Sequence, residues 1–369
     1  MRAIGATLLG LAVAVQAQQP LYAQCGGNGW TGSTQCVAGA CCSSINAWYY
    51  QCLSGNCMPS TTMTTTATRT TSTSTSGATG SLPTSFKWSS TNALVGPKND
   101  GRNLAGIKDP SIIEVDGTYH VFASTAQASG YNLVIPRCPQ VFYFQPQQAW
   151  YLIFQNGNAA YSTNKDISNP AGWSAPKNFF SSVPSIITQN IGNGYWVDMW
   201  VICDSSNCYL FSSDDNGHLY RSQTTLSNFP NGMGNTVIAL SDSNPNNLFE
   251  ASNVYRVGNQ YLLIVEAIGS DGNRYFRSWT APSLTGTWTG LANTEANPFA
   301  RWNNVVFSGT SWTKSISHGE MVRSQVDQTM TISPCKLRYL YQGLSPTASG
   351  DYNSLPWKLA LLTQTNSAC

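Results

Sequence analysis

Residues 196–212 read Trp-Val-Asp-Met-Trp-Val-Ile-Cys-Asp-Ser-Ser-Asn-Cys-Tyr-Leu-Phe-Ser. Two apolar runs, 199–203 and 208–212, flank a polar turn at 204–207, which is the pattern of a β-hairpin. The unit recurs along the chain. Runs at 112–115 and 119–123 flank Asp116-Gly117, runs at 254–257 and 261–265 flank 258–260, and runs at 141–144 and 150–154 flank 145–148. A fifth pair, 321–323 with 330–332, surrounds 324–329. Shorter strands of mixed character follow at 160–163, 219–222 and 275–279, and tryptophan segments at Gly172-Trp173 and Thr287-Trp288-Thr289 come after two of them. Five repeats of about four short strands, with no stretch of helical period, predict an all-β fold, a five-bladed β-propeller. In that architecture the first strand of each blade lines a central channel.

Asp109, Asp198 and Glu250 each stand six to eight residues before the tip of one of these hairpins. A single acid beside a turn reads as a solvated loop residue, but three at one offset are expected to converge on the channel. On the same offset stand Gln140 and, in the last repeat, His318. Glycoside hydrolysis takes two carboxyl groups, one to protonate the leaving oxygen and one to activate water or attack the sugar. A third acid nearby raises the pKa of the proton donor. No Gly-x-Ser-x-Gly elbow, P-loop or His-Glu-x-x-His helix competes for the assignment.

Met1-Arg2, an apolar stretch over 6–15 and the small-x-small pattern Val15-Gln16-Ala17 read as a secretory signal over 1–17, too short to span a bilayer. The chain is therefore expected to be secreted and extracellular, and eleven cysteines agree with an oxidising compartment. Charged residues are only 10% of the chain and the net charge is +2, against 12 Trp and 17 Tyr. That balance argues against nucleic acid and membrane partners and suits neutral polysaccharides, with the protein expected as a monomer. Over 60–79, 15 of 20 residues are Ser or Thr, a mucin-like composition that cannot build a core. The expected domains are a small cysteine-rich module at 19–58, a linker at 59–84 and a large domain at 85–369.

The small module holds Cys25, Cys36, Cys41, Cys42, Cys52 and Cys57 and is too short to fold without disulfides. Spacing alone leaves fifteen pairings open. Tyr22-Ala23-Gln24-Cys25-Gly26-Gly27-Asn28-Gly29-Trp30-Thr31-Gly32, with Asn46 and Trp48-Tyr49-Tyr50-Gln51-Cys52 later, closely resembles the fungal family 1 cellulose-binding module. The resemblance implies the pairs Cys25–Cys42 and Cys36–Cys52, with Cys41–Cys57 as an extra bridge. It also implies a flat face of Tyr22, Trp48 and Tyr49 stacking on cellulose, while Trp30 is left to packing.

In the large domain, Gly106-Ile107-Lys108-Asp109, Trp196-Val197-Asp198, Asn247-Leu248-Phe249-Glu250, Arg274-Tyr275-Phe276-Arg277-Ser278, Ile316-Ser317-His318-Gly319-Glu320 and Gly350-Asp351-Tyr352-Asn353 together resemble glycoside hydrolase family 62. Those are α-L-arabinofuranosidases with a five-bladed propeller that remove arabinose from arabinoxylan with inversion. The resemblance implies that Asp109 is the general base, Glu250 the general acid and Asp198 the acid that orients the sugar and tunes Glu250. It further implies that Lys108, Tyr352 and Asn353 contact the substrate and that His318 helps to hold a structural calcium ion. Inversion requires base and acid to stand roughly 6.5–9.5 Å apart.

Set against the family, the chain is short near 125–139, so the first blade is expected to be incomplete, with exposed strand edges. That shortening keeps a second reading open, a non-catalytic protein that binds arabinoxylan and cellulose. Cys203 and Cys208 stand at the two ends of one hairpin turn and are expected to bridge it. Cys138, Cys335 and Cys369 form an odd set with no pairing legible.

Overall fold

The computed structural model describes residues 18–20, 23–27, 30–46, 49–54, 82–127, 130–131, 137–367 and 369. The chain divides into two compact units, 1–75 and 76–369. The expected signal over 1–17 and nearly all of the expected linker lie outside the described residues. Among those residues, no helix is long and apolar enough to cross a membrane.

The small unit is a three-stranded antiparallel sheet in the order Gln24–Gly26, Tyr49–Ser54, Ala40–Asn46. Its core is little more than Cys25, Ala40 and Cys52, so covalent links do the work of apolar burial. Cys25 is joined to Cys42 and Cys36 to Cys52, as the resemblance implied. Cys41 is disulfide-bonded, and Cys57 lies outside the described residues. The Trp30 indole N–H donates to the Ser33 carbonyl at 3.1 Å, a local packing role. Of the expected cellulose face, Tyr22, Trp48 and the side chain of Tyr49 lie outside the described residues.

The described residues of the large unit form five sheets. Sheet I pairs Gly106–Val115, Thr118–Gln127 and Gly130–Tyr131; sheet II pairs Arg137–Phe144, Ala149–Gln155, Ala159–Asn164 and Lys177–Asn178. Sheet III comprises Val197–Cys203, Asn207–Ser213, His218–Thr225 and Gly234–Ser241, and sheet IV comprises Glu250–Val257, Gln260–Ile268, Arg274–Ala281 and Thr289–Gly290. Sheet V runs from Ser317–Met321 through Arg338–Gly343 and Lys358–Gln364 to Trp88–Ser90 and Val305–Phe307, so the start of the unit is stitched into its last sheet. The first strands of the five sheets touch in cyclic order, I to II to III to IV to V and back to I.

Four of the five hairpins stand where the sequence puts them. Asp116 and Gly117, at φ 50° and 73°, form the tight turn of sheet I, where both central residues need positive φ. Cys203 and Cys208 are paired across the turn of sheet III and are disulfide-bonded. The fifth hairpin is a correction. Met321 ends a strand whose partner is 338–343, while Met330 and Ile332 bond instead to the backbone of Arg256 in sheet IV. Among the described residues sheet I has three strands, the last of two residues, and Tyr119 and Val121 on its second strand are exposed. Cys335 pairs with Cys369, leaving Cys138 as the free thiol among the described residues.

Candidate active site

Every inner strand carries a β-bulge at the same level. The register shifts between Lys108 and Ser111, Arg137 and Gln140, Val197 and Trp200, Glu250 and Asn253, and Ser317 and Gly319. A bulge takes a residue out of the ladder, turns its side chain and leaves its N–H without a strand partner. Asp109, Cys138, Asp198 and Ala251, at φ 51°, 50°, 59° and 55°, occupy the bulges in the left-handed region, which costs a non-glycine residue about 1–2 kcal/mol.

The freed N–H groups are buried and must find acceptors. Each donates to a side chain of the preceding sheet: Asp109 N–H to Gln342 Oε1 at 2.7 Å, Cys138 to Ser124 Oγ at 3.0 Å, Asp198 to Gln155 Oε1 at 2.7 Å, Ala251 to Asp198 Oδ2 at 2.5 Å and His318 to Glu266 Oε2 at 2.7 Å. These five bonds run once around the ring and fix the bulges against one another. They also correct the sequence reading of the shared offset. Cys138, not Gln140, stands level with Asp109 and Asp198, and Glu250 lies one residue before the bulge of its strand. Gln140 instead ties sheet II to sheet III, accepting from Val201 N–H at 2.7 Å and donating to the Val201 carbonyl at 2.8 Å.

The bulges bring Asp109, Asp198 and His318 together. His318 Nδ1 lies 3.5 Å from Asp109 Oδ1 and 3.8 Å from Asp198 Oδ1, and all three residues are buried. Burial opposes a charge on His318, but the Asp198 and Asp109 carboxylates prevail and hold its pKa above the ordinary value. Asp109 Oδ2 is buried without a hydrogen-bond partner.

Glu250 is set by a second network. Arg274 Nη1 bonds Glu250 Oε1 at 2.8 Å and Glu266 Oε1 at 2.7 Å, and its guanidinium lies 4.5 Å from the Phe249 ring centroid. Burial is the largest influence on the Glu250 carboxyl; Arg274 pulls against it, Glu266 and Asp198 add like charge, and the pKa is pushed up to about 7. Asp215, which the sequence reading passed over, sits at φ 55° with Oδ1 buried and unpartnered. Burial and the charges of Glu250 and Asp198 push its pKa up to about 9.

Lys108 is buried and donates from Nζ to Tyr352 Oη at 2.8 Å, lying 4.4 Å from the Tyr352 ring centroid. Its burial excludes a solvated surface role. Tyr352 opens the short turn Tyr352–Ser354, half exposed, with Asn353 next to it and the Asn353 N–H held by Asp351 Oδ1 at 3.0 Å. Gln155, Glu266, Arg274 and Gln342 were given no role by the sequence reading. Glu266 carries a usable signal, since an acid inside the apolar strand Gln260–Ile268 needs a partner wherever that strand is buried.

The expected calcium can be tested against the donors at His318. Asp109, Cys138 and His318 offer a carboxylate oxygen, a thiol and an imidazole nitrogen within 4.8 Å of one another. Calcium takes about six to eight oxygen ligands. An imidazole and a thiol at the centre do not suit it.

Comparison with known proteins places the chain in a family. The profile of Glycosyl hydrolase family 62 matches residues 131–363. The catalytic domain of the family 62 α-L-arabinofuranosidase of Coprinopsis cinerea is 63% identical, with a TM-score of 0.77 over 78% of this chain and 100% of that one. The chain belongs to glycosyl hydrolase family 62. A further family 62 hydrolase, solved with xylotriose, is 52% identical with a TM-score of 0.75, over 78% of this chain and 99% of that one. α-L-Arabinofuranosidase C of Cellvibrio japonicus (strain Ueda107) is 46% identical over 336 residues, 84% of this chain and 52% of that protein, so this family 62 chain spans about half the length of that curated relative. The profile of the fungal cellulose-binding domain matches residues 21–49, which joins a cellulose-binding module to the family 62 unit.

Proposed function

We propose that the large unit is a five-bladed β-propeller α-L-arabinofuranosidase that removes arabinofuranosyl side chains from arabinoxylan with inversion, in a secreted protein anchored to cellulose by its small module. The observation that carries the reading is Glu250. A carboxyl group with a pKa pushed up to about 7 is half protonated at neutral pH and can give its proton to the glycosidic oxygen, as a general acid must. Asp109 takes a proton from a water molecule whose oxygen bonds to the anomeric carbon, while the glycosidic bond breaks and Glu250 protonates the leaving xylose oxygen. Asp198, held by Ala251 N–H and facing His318, orients the sugar and keeps Glu250 protonated through its like charge. Lys108, steadied by Tyr352, and the neighbouring Asn353 bind arabinose hydroxyl groups. No step passes through a metal.

The related structure solved with xylotriose supports a xylan backbone as the polymer bound. The alternative, a binding protein without activity, is disfavoured by the apposed acids, since a lectin gains nothing from holding carboxyl groups together against their repulsion. Proton NMR of arabinoxylan during hydrolysis tests the proposal. The β-anomer of free arabinofuranose should appear first and then equilibrate, with the xylan backbone intact. Initial release of the α-anomer would overturn inversion, and shortening of the backbone would overturn the assignment to side chains.

A further inference from the structure

We infer that Trp302, with Asp271, Glu295 and Lys314 at its rim, forms a subsite for a main-chain xylose beyond the one that carries the arabinose. The inference deepens the proposed function and rests on it for the identity of the polymer.

The course of the main chain follows from the two acids. In inversion the base sends water to one face of the sugar while the acid protonates the leaving oxygen on the other. That oxygen belongs to a main-chain xylose, so the polymer passes on the side of Glu250, over sheet IV, and away from Asp109 in sheet I. At this end sheet IV turns through 269–273, since Glu250 pairs with Glu266 and Ile268 with Arg274. Arg274, which holds Glu250, closes that turn. Its N–H donates to Ser315 Oγ at 3.3 Å, which brings the neighbouring Lys314 to the same edge. Trp302 is fastened to the turn itself, its indole N–H donating to Asp271 Oδ2 at 3.0 Å.

Trp302 is 37% exposed, the one exposed tryptophan among the described residues. A surface indole is ordinarily free to turn, but this one is held from three sides. Arg301 Nη2 joins Asp271 Oδ2 at 3.1 Å to Glu295 Oε1 at 2.5 Å. The Ser270 N–H and hydroxyl donate to the same Glu295 oxygen at 2.9 and 2.8 Å. On the other side of Trp302, Asn304 accepts from Arg301 N–H at 2.7 Å and donates to the Phe86, Pro298 and Phe299 carbonyls. Ring and turn are therefore ordered before a ligand arrives, which spares the cost of fixing them on binding. A pyranose offers an apolar C–H face inside a rim of hydroxyl groups, and a wet indole beside polar groups is its complement. Lys314 Nζ, 5.7 Å from the indole centroid, supplies donors at that rim, and Asp271 and Glu295 supply acceptors. With Arg301 these charges sum to zero, which suits a neutral sugar better than a uronate.

The full chain, Trp302→Ala and Trp302→Phe are compared on soluble arabinoxylan and on a small aryl α-L-arabinofuranoside, with thermal melts as the folding control. Trp302→Ala should lower kcat/KM on arabinoxylan about fivefold and leave the aryl arabinofuranoside unchanged, because only the polymer reaches the indole. Trp302→Phe keeps an aromatic face and should recover most of the loss. An unchanged kcat/KM of Trp302→Ala on arabinoxylan overturns the subsite, and so does an equal fall on both substrates or a Trp302→Phe no better than Trp302→Ala. Calorimetric titration of the full chain with xylohexaose reads the subsite without catalysis. Trp302→Ala should bind xylohexaose about fivefold more weakly than the parent and cellulose equally well. Equal affinity of the two for xylohexaose, or no binding by the folded parent, overturns the inference. If the parent releases no arabinose from either substrate, the proposed function fails while the titration still decides the subsite.

Discussion

Raising the pH through neutrality should switch off catalysis through Glu250. With a pKa pushed up to about 7, its protonated fraction falls from about nine-tenths near pH 6 to about one-tenth near pH 8. The acid must be protonated to act, so kcat/KM should fall about tenfold over that interval. The largest influence, burial, is built into the fold, and Asp198 adds a like charge. Neutralising it in Asp198→Asn should lower the Glu250 pKa by about one unit and move the alkaline limb toward pH 6, beyond any loss of rate. The same titration affects stability with a definite sign. The folded-state pKa lies above the ordinary carboxyl value, so this contribution is fully present below about pH 4 and is lost as pH rises through about 7. For a side chain 22% exposed we discount the full linkage to about 2 kcal/mol, and Glu250→Gln should not show that loss. The assay is kcat/KM on soluble arabinoxylan from about pH 5 to about pH 9, with melts on the same samples. An alkaline limb that is absent, or that stays in place or rises in Asp198→Asn, would refute the reasoning.

Arg274→Met leaves Glu266 buried without its cation, and breaking such a pair should cost about 3 kcal/mol, read as a fall in Tm of about 5–10 °C. The same variant removes the positive charge beside Glu250, so its alkaline limb should move upward, opposite to Asp198→Asn. Tyr352→Phe removes an acceptor of the buried Lys108 ammonium and should lower kcat/KM on arabinoxylan about tenfold, with a loss of stability of no more than about 1–3 kcal/mol in melts. Cys335→Ser opens a loop of 34 residues that ties Cys369 to the approach of strand Arg338–Gly343; chemical denaturation should register a loss of about 2–4 kcal/mol.

The repeat was legible because its hairpins alternate sharply in polarity and turn tightly, as at Asp116-Gly117. The outer strands were not. Lys177–Asn178 and Thr289–Gly290 have two residues each, too few for any period; of the tryptophan segments that stood in for them, 287–289 overlaps its strand at Thr289 and Gly172-Trp173 only lies nearby. The last hairpin was misread because Met330–Ile332 has the composition of a partner strand, whereas Arg338–Gly343 forms the pair through a register that only the assembled sheet sets. Offset counting brought Asp109, Asp198 and His318 to one place but placed Gln140 where Cys138 stands. A bulge adds a residue without leaving a mark in the alternation of side chains. The glutamines that receive the Asp109 and Asp198 N–H groups lie 233 and 43 residues away in sequence. Those bonds follow from the closed order of the sheets, so no local pattern carries them.

The most direct test is to incubate the chain with wheat arabinoxylan beside Glu250→Gln and to separate the released sugars by anion-exchange chromatography, with the fraction bound to cellulose measured in parallel. The account predicts free arabinose and an intact xylan backbone from the parent chain, none from Glu250→Gln, and equal binding of both to cellulose. Equal arabinose release by the two folded proteins would contradict the role of Glu250, and none from the folded parent would leave the protein a binder of the polysaccharide it was expected to cut.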